Sequence, residues 1–146
     1  LDRRGSSNLV VKRAVDALGG RSFSVMPPKN LVDVRRSDFD ACVYRPVESW
    51  LRGFMDASFV VTDSFHGTLF AIIFNKPFLA IGNRARGVTR FESILRLIGL
   101  EERLVEGPEG VTSELLKTPI DWERVATVLN EKRALSEAFL CTGLGG

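Results

Sequence analysis

FVVTDSFHGTLFAIIFNKPFLAIGNRARGVTR, residues 59–90, is the stretch from which the rest of the chain can be placed. It opens on Phe59, Val60 and Val61, a continuously apolar run that ends β-branched, as a parallel strand covered on both faces requires. A polar turn follows, Thr62, Asp63, Ser64, His66 and Gly67, which holds the single histidine of the chain. The residues after it, 68–74, are apolar nearly all round and predict a central, buried helix. Asn75, Lys76 and Pro77 stop that helix, residues 78–81 read as a second buried strand, and a loop carrying Arg84, Arg86 and Arg90 closes the stretch. Strand, turn, helix and strand in this order form the start of a parallel sheet.

The flanking segments continue the alternation. Leu1 and Asp2 read as the end of a strand, with Gly5, Ser6 and Ser7 as the turn and cap of a helix over 8–18. Val10, Ala14, Ala17 and Leu18 share one face of it, and Gly19 and Gly20 end it. Residues 23–26 predict a short strand stopped by Pro27 and Pro28, whereas 29–44 has no readable period and carries Arg35, Arg36, Asp38 and Asp40 as loop charges. Pro46 opens the next helix, whose stripe is Val47, Trp50, Leu51, Phe54 and Met55. Downstream, Thr89 and Glu92 form a capping box for a helix with Phe91, Ile94, Leu95 and Ile98 on one face, ended by Gly99. Leu104 and Val105 predict an edge strand, Thr112 or Ser113 a short helix, and Asp121 the cap of a long one bearing Trp122, Val125, Ala126 and Leu129. The tail, 142–146, is expected to fray. The fold class is therefore α/β, a single domain over 1–146 with a Rossmann-like parallel sheet and helices on both faces.

Composition narrows the function. With 146 residues, 45% of them hydrophobic, the chain can bury one core. Twenty basic side chains against 18 acidic ones, a net charge of +2, give no general case for nucleic acid as a partner. Charge is unbalanced only locally: Lys76, Arg84, Arg86 and Arg90 lie between Asp63 and Glu92 with no acidic residue among them. Cys42 and Cys141 have neither zinc-ligand spacing nor a disulfide framework, so free thiols in a reducing cytoplasm are expected, with no metal. No run approaches the roughly 20 apolar residues of a transmembrane helix, and the first residues do not form a signal peptide. The missing initiator methionine suggests an excerpt of a longer protein.

The turn is the candidate site, because parallel sheets bind ligands at the carboxyl ends of their strands. A loop entering a helix there aims backbone N–H groups and the positive end of the helix dipole at one point, which suits an anion. Gly67 lets backbone approach a ligand closely. His66 can donate to an oxyanion or carry a proton near neutral pH. Arg86 and Arg90 can fork onto carboxylate or phosphate. Asp63 reads equally as a helix cap, through the Gly67 or Thr68 N–H, and as a base, and Ser64 as a cap or hydrogen-bonding partner. Arg84 and Arg86 read equally as site residues and as solvated loop, whereas Arg90, a cation at a helix N-terminus, is unfavourable unless something negative sits nearby. A Ser/His/Asp triad is not expected, since three neighbours on one turn cannot easily adopt the relay geometry and no G-x-S-x-G elbow is present.

Two stretches, ESWLRGFMDASFVVTDSFHGTLFAIIFNKPFLAIGN and RGVTRFESILRLIGLEERLV, resemble the polysaccharide pyruvyl transferases. The order VVTDSFHG, FNKPF, RG-x-x-RF carries the resemblance. It implies a two-lobed fold like that of GT-B glycosyltransferases, of which this chain resembles the C-terminal lobe, with the cleft completed by a missing N-terminal lobe. It implies transfer of a pyruvyl group from phosphoenolpyruvate to two hydroxyls of a sugar in an exopolysaccharide, giving a ketal and phosphate without a further cofactor. The partners implied are phosphoenolpyruvate and a saccharide acceptor, with peripheral association with a lipid-linked glycan. His66 and Asp63 would then be catalytic, and Ser64, Gly67, Thr68, Arg86 and Arg90 would bind substrate. Family members of the D-R-x-H-G form have an arginine where this chain has Ser64, so the anion must be met by Arg86 or Arg90. The rival readings are a GT-B donor lobe binding a nucleotide sugar and a non-catalytic sugar- or anion-binding module.

Overall fold

In the computed structural model, which describes residues 3–25, 43, 46–82 and 87–144, the strand-turn-helix-strand unit read from the sequence sits at the centre of the molecule. β1 (Val60–Thr62) pairs in parallel with β2 (Phe78–Ile81), Val60 facing Phe78 and Thr62 facing Ala80. β2 pairs in parallel with β3 (Leu104–Val105), so the sheet runs in the order β1-β2-β3. It is a small, open, three-stranded sheet. β2 is buried at every residue, as the middle strand must be, and its side chains alternate between two cores.

Phe78 and Ala80 point to the larger core. There they meet α2 (Val47–Asp56), α3 (Phe65–Ile73), α4 (Thr89–Ile98) and α6 (Trp122–Leu144) through Phe54, Ala71, Ile72, Phe91, Leu95 and Val125. Leu79 and Ile81 point to the opposite core, against Val10 and Ala14 of α1 (Arg3–Leu18) and Leu116 of α5 (Ser113–Lys117). Helices therefore cover both faces of the sheet. Trp50 belongs to the first core, its ring 4.7 Å from that of Phe54 and 5.0 Å from that of Phe70, which fastens α2 onto α3.

Both helices that flank the candidate site end in the same way. Asn75 (φ 51°) and Gly99 (φ 66°) take the left-handed conformation. Behind each, the next N–H reaches back to the helix, Lys76 to the Ala71 carbonyl and Leu100 to the Leu95 carbonyl, both at 2.8 Å. These stops fix where β2 and the Glu101–Arg103 turn begin.

Several sequence expectations are corrected. Gly5, Ser6 and Ser7 lie inside α1, which starts at Arg3, so they do not form its cap. Residues 23–25 form no strand: Phe23 is exposed, and Val25 packs instead against Gly53 of α2, where a Cβ would lie 2.4 Å from the valine methyl. Thr89 does not cap α4. It is the first helical residue, after Val88, and no side-chain hydrogen bond caps that end. Residues 142–144 continue α6 as helix. By contrast, Thr112 caps α5, accepting from the Leu115 N–H at 3.1 Å, and Asp121 accepts from the Arg124 N–H at 3.0 Å at the start of α6. Leu1, Asp2, Met26, Cys42 and residues 29–42 lie outside the described residues.

Candidate active site

The site forms where β1 hands the chain to α3. The sequence predicts this helix from residue 68, but it begins at Phe65, because Ser64 has extended backbone (φ −101°, ψ 130°) and takes the cap position. The Ser64 hydroxyl accepts from the Gly67 N–H at 3.4 Å, and the Ser64 carbonyl accepts from the Thr68 N–H at 3.0 Å. The cap is thus Ser64, and the Gly67 and Thr68 N–H groups that Asp63 was expected to bind are taken by it. Asp63 remains exposed at the tip of the turn. His66 moves from the turn to the second position of the helix.

Two threonines wire this turn from within. Thr62, the last residue of β1, accepts from the Ser64 N–H at 3.1 Å. Thr68 is fully buried and donates its hydroxyl to the Ser64 carbonyl at 3.2 Å. Gly67 makes the first of these arrangements possible, since a Cβ at this position would lie 2.3 Å from the Thr62 Oγ1. The backbone N–H groups of Phe65 and His66 head the helix, where no intrahelical carbonyl reaches them, and the dipole adds positive potential at the same place.

The side chains around that helix end are arranged on Phe65. The His66 ring, exposed to solvent, lies edge-on to it with centroids 6.1 Å apart. The Arg90 guanidinium, from the first turn of α4, sits 5.3 Å from the centroid of the same ring. Phe91 meets Phe65 edge-on at 5.6 Å from the core side. His66 and Arg90 are therefore brought around one ring although they are 24 positions apart in the sequence. Beyond them, Phe65, Thr89, Arg90, Ser93, Ile94 and Leu97 line an open, largely apolar groove of about 380 Å³ along α4. Arg84 and Arg86 lie outside the described residues.

Such an arrangement can receive a small anion at the head of α3 and present an imidazole and a guanidinium to it. The stretch that builds the turn also has known counterparts. A family model for the polysaccharide pyruvyl transferases matches residues 23–84. Over that segment, which spans α2, β1, α3 and β2 and so contains Asp63, Ser64, His66, Gly67 and Thr68, the chain is similar to that family. Arg90 lies just beyond it. No curated protein and no solved structure gives a significant match. No helix among the described residues is long and apolar enough to cross a membrane.

Two contributors were not assigned by sequence reasoning. In the sequence Thr62 is one of several polar turn residues, and a threonine two positions before a cap serine is a side-chain-to-backbone turn signal. Phe65 has no role in the sequence reading, where it falls inside the turn; the signal for it is an aromatic residue directly before His66 at the start of the helix.

Proposed function

We propose that this chain forms the donor-binding wall of a polysaccharide pyruvyl transferase, and that the donor is phosphoenolpyruvate. The observation that carries the reading is the grouping of His66 and Arg90 around Phe65 at the head of α3. A ligand with a carboxylate and a phosphate needs a cation, helix-end N–H groups and a proton carrier close together. The second lobe of a GT-B-like cleft would complete the site, and the acceptor is a saccharide of a cell-surface or exopolysaccharide. Because phosphoenolpyruvate is a cytoplasmic metabolite, the reaction is placed in the cytoplasm, on an acceptor that can include a lipid-linked glycan at the membrane face.

In the proposed reaction the α3 N–H groups and Ser64 meet one anionic group of the donor, and Arg90, with Arg86 four positions before it in the sequence, meets the other. Gly67 and Thr68 keep the turn in shape for that contact. His66 in its protonated form delivers a proton to the methylene carbon, which leaves the neighbouring carbon electrophilic. A sugar hydroxyl adds there, forming one C–O bond and yielding its proton to a base, either Asp63 or a group of the other lobe. The bond to the phosphate oxygen breaks with its electron pair, and a second hydroxyl closes the ketal. One of the two hydroxyl protons balances that placed on the methylene carbon, and the other leaves with the phosphate.

The test is phosphate release from phosphoenolpyruvate by the full-length protein with its saccharide acceptor. His66→Ala is expected to lower kcat by about 100-fold or more, the usual scale for a lost proton carrier, and Arg90→Ala to raise KM for phosphoenolpyruvate. Near-normal turnover in both variants would sink the assignment. Thermal shifts with nucleotide sugars larger than those with phosphoenolpyruvate would instead favour the glycosyltransferase reading.

A further inference from the structure

Arg90 occupies an electrostatically poor place. It is the second residue of α4, where the dipole repels a cation, and among the described residues no carboxylate forms an ion pair with it. Its side chain is exposed and long, so it would ordinarily sample many rotamers. What meets it is the face of Phe65, with the guanidinium carbon 5.3 Å from the ring centroid. The ring itself is held from below by the edge of Phe91, a buried core residue, and by the Ser64 cap that fixes the first turn of α3. The other neighbour of Phe65 is His66, edge-on to it. One rigid aromatic ring thus touches both groups assigned to the donor.

From this geometry we infer that Phe65 is a positioning residue for donor binding, acting through Arg90. The inference rests on the reading of Arg90 as a donor-binding group. A cation held against an aromatic face is stabilised by the ring quadrupole, and a guanidinium already confined beside the head of α3 gives up less side-chain freedom when an anion arrives. The face of the ring, rather than its bulk, carries the effect. A leucine or methionine at the position can fill the space against Phe91 but offers no quadrupole to the guanidinium.

The experiment is a double-mutant cycle on phosphoenolpyruvate affinity, read by calorimetric titration of the full-length protein without acceptor. Phe65→Leu is expected to weaken binding by roughly three- to tenfold, the scale of a cation–π contact that is partly exposed. Phe65→Tyr, which keeps the face, should bind within twofold of the parent. In an Arg90→Ala background, Phe65→Leu should have no further effect. Melting temperatures accompany each variant, and if Phe65→Leu does not fold, Phe65→Met takes its place in the cycle. The inference is overturned if Phe65→Leu leaves the affinity unchanged while Arg90→Ala weakens it. It is equally overturned if Phe65→Leu weakens binding as much without Arg90 as with it, since the ring would then act only on the fold. If Arg90→Ala alone leaves phosphoenolpyruvate affinity unchanged, the donor-site reading itself fails at Arg90, a result distinct from the other two.

Discussion

Gly67 carries one hydrogen where any other residue carries a carbon, and that difference shapes the whole turn. It is helical, with no left-handed backbone, so helix propensity alone says that Gly67→Ala should stabilise the protein by about 1 kcal/mol. The Thr62 side chain reverses the sign. The new Cβ would lie 2.3 Å from Thr62 Oγ1, and Thr62 is β-branched, hydrogen-bonded to the Ser64 N–H and anchored in β1. Gly67→Ala is therefore expected to cost roughly 1–3 kcal/mol in urea unfolding, as overpacking does. Combining it with Thr62→Ala should cost less than the two single changes added together, because the obstructing hydroxyl and methyl are gone. A stabilised Gly67→Ala would show that the threonine yields freely. The sequence marks Gly67 as a place of close approach, and the neighbour that makes a Cβ costly there is Thr62. Which side chain comes close depends on how far β1 runs before the turn, and no local pattern states that.

At the scale of elements, what could be read was whatever kept a period and a stop signal together. The bounds of α2, α3, β2 and α4 fall within a few residues of those expected, although Val47 and Met55 of the α2 stripe and Ile73 of α3 are exposed, and Asn75 and Gly99 end two of the helices by the left-handed geometry their residue types favour. Residues 23–25 show the opposite case. Ser22, Phe23, Ser24 and Val25 alternate as a strand should, yet Val25 is taken up by the bare backbone at Gly53 of α2, a tertiary contact that alternation cannot foresee. Arg103 is a second such case. It lies in the turn before β3 with its side chain 1% exposed, donating at 2.9 Å to the Leu115 carbonyl and at 2.7 Å to the Thr118 carbonyl, at the end of the five-residue α5. Its Nε lacks a hydrogen bond and lies 3.5 Å from half-exposed Glu102. A helix this short has little stability of its own, so Arg103 supplies the C-terminal anchor that its length cannot. Arg103→Met, which keeps much of the volume and removes the donors, should cost about 2 kcal/mol, with two part-buried carbonyls left short of partners. Glu102→Gln should cost less than 1 kcal/mol, since that carboxylate is solvated. Equal losses in chemical denaturation would contradict this division.

On the scale of the whole molecule, stability is concentrated on the two faces of the sheet, and α6 runs well beyond them. Its first half closes the larger core through Trp122, Val125, Val128 and Leu129. Residues 130–143 are all exposed, and they include Leu135, Phe139 and Leu140, with Phe139 at 77% exposure. A tail expected to fray from 142 is instead helix to Leu144, because the regular hydrogen bonding begun in the packed half propagates once nucleated. The apolar residues of the outer half keep helical spacing with Val125 and Leu129, so the sequence pattern cannot distinguish the packed half from the projecting one. Burial does. Leu135→Ser together with Phe139→Ser should change the unfolding free energy by no more than about 0.5 kcal/mol, since neither side chain leaves an apolar environment when the chain unfolds. Leu95→Ala, at a fully buried position on the inner face of α4, should cost about 2–5 kcal/mol in the same urea titration. A loss above 1 kcal/mol for the serine pair would mean that the outer half of α6 is covered in solution, and the excess over the solvated expectation would measure the area so covered at about 25 cal/mol per Å².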